Sequence, residues 1–412
     1  MLTKLESTLS RPQAAGSQWD VIVVGAGVAG SLVSLGLARL GRRILLIERA
    51  ELPRPKVCGA CLNSDAIDGL RRAGVWPSIE AIGGHSLHQY SIRAGTSRAV
   101  LSLPGGHAVS RLAMDHVLTK SALTAGAELL TDTAVTICQA TSDGDVRTAI
   151  DNFGNRYHAK VMIAANGLTS KPVSNLAEEQ VVVDADSRIG LGAHWTPDEN
   201  DRDATMRLAE GVIYMAVGQH GYVGMVLTEG GSVNLAAAVD RSAVQSSGPA
   251  GVCDQLLRSC GWDLGNSMLR AGFRGTQTLT RRRALAGGHR LFFAGDSSGY
   301  VEPFTGEGMA WAIRAAMAVV PWADASIDAW RTDSPVKWTS ELKRLLGKQQ
   351  RRCRLISKAL RHPTLVRHTV RTLSRFPSLG RFAVEQIQRE RSTTLQDRWP
   401  GNCGPGANGD AA

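Results

Sequence analysis

The chain has 412 residues, 43% of them hydrophobic and 20% charged, with a net charge of +10. That length can bury one large core or two to three smaller ones, and the composition is ordinary for a globular protein, not a low-complexity one. Seven cysteines at irregular spacing exclude a disulfide framework. The stretch Met1 to Gln18 has no apolar core of a secretory signal. The setting is therefore read as reducing and cytoplasmic, or peripheral on the inner membrane surface.

In chain order, residues 1–18 read as a disordered leader. Trp19 to Arg49 then runs from an apolar stretch (Val21 to Val24) into Gly25-Ala-Gly27-Val-Ala-Gly30, a helix-like segment to Leu40, and a second aliphatic run that ends in Glu48. Strand, glycine turn, helix, strand and acid in this order form the dinucleotide fingerprint. Gly25 permits the tight turn, Gly27 lets backbone approach a pyrophosphate, and Gly30 lets helix and strand pack. The phosphates then meet the positive end of the helix. The Glu48 carboxylate would accept from a ribose diol and disfavours a 2′-phosphate, which points to FAD or NAD. Val21 to Ala38 carries no charge, but its glycines and its change of period argue against a membrane helix.

Leu52 to Leu62 is a proline- and glycine-broken loop holding Lys56, Cys58, Gly59 and Cys61. Asn63 or Ser64 caps a helix to about Ala73. Tyr90 to Leu103 alternates as paired strands, and Arg111, Met114, Asp115 and Leu118 fall at helical spacing. A hairpin is expected at Ser142 to Asp145. Val161 to Ala165 reads as a buried strand ending in Asn166-Gly167. Val212–Val217, Tyr222–Leu227 and Ser232–Val239 read as an antiparallel sheet. A helix is expected near Val252 to Cys260. Leu291 to Ala294 is a second buried strand ending in Gly295-Asp296, and Pro303 and Gly306-Glu307-Gly308 precede an apolar helix from Met309 to Val320. Past Trp330 the chain reads as helical and basic, and Gly401 to Ala412 as a frayed tail.

Four separated pieces resemble one family. They are the Gly25–Gly30 fingerprint, the Arg111-x-x-x-Asp115-x-x-Leu118 pattern, Ala165-Asn166-Gly167-x-x-Ser170, and Gly295-Asp296 through Pro303-Phe-Thr-Gly306-Glu307-Gly308. Together they are similar to the FAD-dependent oxidoreductases of the p-hydroxybenzoate hydroxylase fold, nearest the geranylgeranyl reductase-like branch. The resemblance spans about residues 19 to 380. It implies that Asp296 meets the ribityl hydroxyls of FAD and that Arg111 contacts its phosphates. It implies further that Pro303 and the Gly306–Gly308 turn wrap the flavin ring, with the helix from Met309 aimed at its pyrimidine edge. Glu48 with Arg49, Cys58 with Gly59, Gly167 and Glu307 complete the expected cofactor-binding set. Two positions depart from the pattern. Asn166 stands where the family has Asp. Tyr222-Val-Gly224-Met-Val226-Leu keeps the Tyr of Tyr-x-Trp-x-Phe-Pro and none of its other residues.

Cys58 and Cys61 admit three readings: loop packing beside the flavin, a redox pair, or half of a metal site. No further ligand pair supports the metal. None of the ten histidines stands out as a proton donor, and no catalytic residue is assigned. Lys343 to Arg381 alternates bases with Leu, Ile, Val and Phe. That pattern suits surface helices covering the FAD domain with their charged faces in water, and it would also suit an anionic membrane surface; no nucleic-acid module is visible.

The expected fold is α/β: a three-layer Rossmann-like FAD domain (19–85, 108–180, 275–330) interleaved with a mainly antiparallel substrate domain (86–107, 181–274). A basic helical region (331–400) and a tail (401–412) follow. The expected function is hydride transfer from NADPH or NADH through FAD to a small lipophilic substrate, most simply C=C reduction of an isoprenoid-like or polyketide-like compound. The alternatives are hydroxylation of an aromatic or polyketide with O₂, and a non-catalytic FAD-loaded binding protein.

Overall fold

The computed structural model describes residues 2–138, 144–168, 180–198, 206–304, 306–376, 378, 380, 399 and 400. Its helices in chain order are α1 (Arg11–Ala15), α2 (Val28–Arg39), α3 (Ser64–Arg72), α4 (Trp76–Glu80), α5 (Arg111–Thr124), α6 (Arg241–Ser259), α7 (Gly265–Leu269), α8 (Gly308–Asp328), α9 (Ser334–Ala359) and α10 (Pro363–Arg375).

The strand Gln18–Val24 lies at the centre of the first sheet, parallel to Arg156–Ala164 on one side and to Ile44–Ile47 on the other. Leu291–Phe293 extends the sheet parallel to Arg156–Ala164, and Glu128–Leu130 extends it beyond Ile44–Ile47. A strand covered on both faces is apolar throughout, which is why Val21 to Val24 shows no alternation. On one face Val21 and Val23 meet residues of α2, α5 and α8, among them Leu32, Met114 and Ile313. On the other, Ile22 and Val24 meet Ala14, Ile137, Ala149 and Tyr157.

The second sheet runs Arg274–Thr278, Ile189–Trp195, Val233–Val239, Gly221–Leu227, Val212–Gly218, Gln89–Ala94, Ser97–Ser102. Its pairings are antiparallel except that of Val212–Gly218 with Gln89–Ala94. Alternate residues face opposite ways. Leu191, Val223 and Leu235 pack with Val252, Leu256 and Leu257 of α6. Tyr90, Ile92, Met215, Val217 and Tyr222 form the opposite layer with Phe304 and with Val366 and Val370 of α10.

Several expectations change. The leader expected to be disordered is ordered from residue 2. Leu5 N–H donates to Leu52 O at 3.0 Å, and Thr8 N–H to Leu129 O at 2.9 Å. A Ser10–Gln13 capping box starts α1, which buries Ala14. Polar side chains add to these bonds: Ser7 Oγ accepts from Thr131 N–H at 3.0 Å and Thr8 Oγ1 from Leu129 N–H at 2.8 Å, so the anchoring leaves no apolar periodicity to read. The stretch 275–278, assigned to the FAD domain, belongs to the substrate sheet, where it pairs with Ile189–Gly192. The helix expected near Val252 begins at Arg241; Gly248, at φ 71°, breaks it, and Pro249 restarts it. The apolar helix from Met309 runs on through Pro321 to Asp328.

The basic region is integral to both domains. Trp338 of α9 is fully buried. Its indole N–H donates to Phe293 O at 3.0 Å, and Thr339 Oγ1 accepts from Ala286 N–H at 2.8 Å. Helix α9 thus covers the end of the first sheet while α10 covers the outer strands of the second. The strands flanking the expected 142–145 hairpin pair antiparallel. Ser142, Ser170, Thr305, Arg381 and the 401–412 tail lie outside the described residues.

Candidate cofactor site

The glycine turn takes the form its sequence requires. Gly25 has φ 106°, and a Cβ there would lie 2.7 Å from Ala165 O. A Cβ on Gly30 would lie 1.8 Å from Gly25 O, so helix and turn touch through backbone alone. Gly27 is the N-cap of α2 and provides no side-chain acceptor, so none caps the first-turn N–H groups. Gly295, at φ 64°, abuts Ala29 of the same helix, which brings Asp296 beside the turn.

Gly27 is also where cations converge. A Cβ built there would stand 3.6 Å from Arg111 Nη2, 3.8 Å from Lys56 Nζ and 3.9 Å from Arg54 Nη2. Arg111 starts α5, where Ser110 Oγ accepts from Ala113 N–H. One turn on, Asp115 takes its guanidinium in a bidentate pair at 2.8 and 2.7 Å. Asp115 also lies 3.8 Å from Arg54. This explains the Arg-x-x-x-Asp spacing: i and i+4 share a helix face, and the acid aims the base. Burial works against the charge on Arg111, and Asp115 more than restores it.

Glu48 is buried at the strand end. Its carboxylate accepts from Ala26 N–H (2.9 Å), Ala50 N–H (3.2 Å) and Arg54 (2.8 Å). Burial pushes its pKa up, but Arg54 and the two N–H groups hold it below the ordinary carboxylate value. Arg49 is exposed at the rim. Like charges about one point repel, and Glu48 and Asp115 offset this directly only for Arg54 and Arg111. A pyrophosphate relieves that repulsion and fits a cradle whose floor is a residue without a side chain. The residues therefore fit FAD: Gly27, Arg54, Lys56 and Arg111 at the phosphates, and Glu48 at the ribose.

Lys56 also touches the far wall: a Cβ on Gly167 (φ 73°) would lie 2.9 Å from its Nζ. Burial, then the Arg111 charge, lower the Lys56 pKa, opposed in part by Asp296. An arriving pyrophosphate would raise it again, so binding takes up a proton above the ligand-free pKa. FAD affinity is therefore expected to fall as pH rises through that value. Titrations from about pH 7 to about pH 10 check this, and Lys56→Gln should flatten the slope. An unchanged slope in that variant would remove Lys56 from the phosphate cradle.

Asp296, Gly167, Val181, Arg281, Arg283, Ser297 and Gly299 line a narrow surface depression. The loop after Asp296 crosses toward the substrate sheet. Tyr222 O–H donates to Pro303 O and Tyr90 O–H to Phe304 O, both at 3.4 Å. The Phe304 ring sits edge-on to Tyr222 at 5.0 Å and to Tyr90 at 6.5 Å. The retained Tyr222 is thus a packing residue of the loop, as its position on an alternating strand suggests. Gly306 (φ 83°) packs on the backbone of Cys61. Gly308 lies against Tyr300: a Cβ there would be 3.1 Å from its Oη. Glu307 is buried and accepts from the Cys353 thiol of α9 at 3.6 Å. The Met309 side chain lies in the core of the first domain, so only its backbone is available to a cofactor.

Cys58 and Cys61 are free thiols, not a disulfide. Cys58 O accepts from Asn234 of the substrate sheet at 2.8 Å, and Gly59 is exposed beside it. Burial pushes the Cys61 thiol up, which disfavours the thiolate a redox pair needs. Among the described residues no group of three or more His, Cys, Asp or Glu could hold a metal. Sequence reasoning missed Arg54, the aiming role of Asp115, and the Tyr90–Phe304 contact. Arg54 sits in an irregular loop with no motif spacing, and Tyr90 reaches Phe304 only through the tertiary fold.

The chain matches the FAD binding domain model over residues 18–326. It is 31% identical over 158 residues to menaquinone reductase of Mycolicibacterium smegmatis, covering 37% of this chain and 38% of that protein. Digeranylgeranylglycerophospholipid reductase of Methanococcus vannielii is 29% identical over 163 residues (38% of this chain, 40% of that protein). Squalene monooxygenase of Rattus norvegicus is 33% identical over 85 residues (21% and 15%). The matches thus span about two-fifths or less of these relatives. The fold is that of the halogenase PltM, solved with phloroglucinol and FAD: TM-score 0.70, 15% identity, 93% of this chain and 87% of that one. Glycine turn, cation cradle and Asp296 loop all fall inside the matched span, and the chain belongs to the FAD binding domain family.

Proposed function

We propose that the chain is a FAD-dependent oxidoreductase that takes hydride from NADPH or NADH and reduces a C=C bond of an isoprenoid-like or polyketide-like compound. Bound FAD would supply the two-electron chemistry. The observation that carries the lipophilic substrate is the apolar layer turned to the Pro303–Phe304 segment, with Tyr90, Ile92, Met215, Val217 and Tyr222. That layer is already closed over by Phe304 and by Val366 and Val370 of α10, so it keeps water from the segment, and a hydrocarbon chain would lie beside it. Two of the relatives are named as reductases of prenylated molecules, which supports reduction. The squalene monooxygenase relative, with the loss of Trp, Phe and Pro after Tyr222, supports the second reading, oxygenation.

Reduction by NADPH or NADH without oxygen, then mixing with oxygenated buffer, separates the two, with absorbance followed from about 350 to about 550 nm. Slow reoxidation without a transient species, and a saturated product from an unsaturated isoprenoid in detergent, is the expected result. A transient species with an oxygenated product would replace reduction by oxygenation. No bleaching by either nucleotide would remove the hydride donor from the proposal.

The proposal includes peripheral contact with an anionic membrane. Leu355, Leu365 and Phe376 are exposed among Arg351, Lys358, Arg367, Arg371 and Arg375, a pattern that suits anionic lipid. No helix among the described residues is long and apolar enough to cross a membrane. Salt-sensitive sedimentation with phosphatidylglycerol vesicles is expected, and its absence would withdraw the contact.

A further inference from the structure

One ion chain, buried at Arg188 and Glu302 and half-buried at Asp240 and Arg361, joins the C-terminal helices to the loop beside the flavin site. Arg188, just before the strand Ile189–Trp195, has no exposed side-chain surface. Its Nη1 meets Glu302 Oε1 at 3.1 Å, and that carboxylate is itself buried. Its Nε lies 3.5 Å from Asp240, and its guanidinium lies 5.8 Å from the Tyr222 ring centre. Asp240 also takes Arg361, at the α9–α10 joint, at 3.4 Å, and His220 stands 3.9 Å off. Arg361 donates to Asp186 O as well. Glu302 immediately precedes Pro303 and Phe304, the two residues whose carbonyls Tyr222 and Tyr90 hold.

A fully buried guanidinium needs its carboxylates, because a lone buried charge costs several kcal/mol. Where Glu302 can sit is therefore fixed by Arg188, and where Arg188 sits is shared with Asp240 and Arg361. Glu302 has one further anchor of its own, its N–H to Thr280 Oγ1 at 3.3 Å. An ion pair serving only the sheet edge would not need a partner in the loop after Asp296. Nor would it need a second base supplied by the C-terminal helices.

We infer that Arg188 is a positioning residue, and that through the chain Arg361–Asp240–Arg188–Glu302 the C-terminal helices fix the Glu302–Phe304 segment against the substrate sheet. This rests on the reading of that segment as a wall of the flavin site.

The test is hydrogen exchange on the full chain loaded with FAD, followed at peptides covering 299–304, together with the flavin absorption spectrum. Arg361 is partly exposed and distant from the segment, so Arg361→Ala should leave the fold intact. It is expected to speed exchange at 299–304 by about threefold, and Arg188→Lys by about tenfold. Both variants should shift the visible flavin band. In the double variant the effects should not add, since they act along one chain. Arg344→Ala, whose guanidinium pairs with Glu341 on the same helix, serves as the control and should change nothing. Unchanged exchange at 299–304 in both variants with FAD at full stoichiometry would overturn the inference. So would a rise spread evenly over the substrate sheet, which would mark a merely structural pair. Wild-type protein that holds no FAD would instead overturn the cofactor reading.

Discussion

Gly27→Val is expected to yield a folded protein that binds no FAD, whereas Gly30→Ala is expected to fail at folding. The two glycines are three residues apart in one motif, but different things surround them. A Cβ on Gly27 meets only the far ends of Arg111, Lys56 and Arg54, at ordinary contact distances. Those side chains can give way, so the fold loses little, while the added branches fill the volume meant for the phosphates. A Cβ on Gly30 would overlap Gly25 O at 1.8 Å. Neither partner there is a side chain that can turn aside. Overpacking that side chains can absorb already costs about 1–3 kcal/mol; here the backbone of the turn must move, and with it the strand–turn–helix unit on which the first sheet is built. Thermal unfolding and the flavin absorbance of purified protein check both outcomes. A yellow Gly27→Val protein at full occupancy would sink the placement of the phosphates.

Arg111→Met should be the most damaging single side-chain change at the site. It strands Asp115, 1% exposed, with Arg54 at 3.8 Å as its remaining ion-pair partner among the described residues. Breaking a buried pair by removing one partner costs about 3–5 kcal/mol. It also removes one of the three cations at Gly27. The paired change Arg111→Met with Asp115→Leu separates these effects. Most of the stability should return, since a buried pair replaced by apolar residues is often neutral, while FAD affinity stays low. If affinity returned with stability, Arg111 would be a structural residue and not a phosphate ligand.

The cofactor half of this protein was legible from the chain because its signals are local. The glycine turn, the acid at the end of the second strand and the Arg111–Asp115 spacing each lie within one or two adjoining elements, and their geometry follows from strand and helix periods. Departures came where anchoring leaves no pattern. The leader is held by backbone hydrogen bonds to Leu52 and Leu129 and by the polar side chains of Ser7, Thr8 and Arg11, none of which carries an apolar period. The basic C-terminal stretch read as surface helices covering the FAD domain; Trp338 and Thr339 do seal the first sheet, whereas Val366 and Val370 complete the layer over the second. The apolar stripe was visible, but its partner sheet was not, since periodicity names a face and not what covers it.

By itself the sequence determined the α/β class, the strand–turn–helix that receives a dinucleotide, and the alternating strands of the second sheet. These follow from side-chain period and from glycine's freedom at φ values closed to other residues. Only the tertiary structure decided that Arg54 and Lys56 join Arg111 over Gly27, and that Tyr90 and Tyr222 hold the Pro303–Phe304 segment. It alone placed Arg188 between Glu302 and Asp240. Each of these meetings joins residues from separate elements. A charge or a ring at one position has no spacing rule to its distant partner, so only the packing of the two sheets and the last helices brings them into reach.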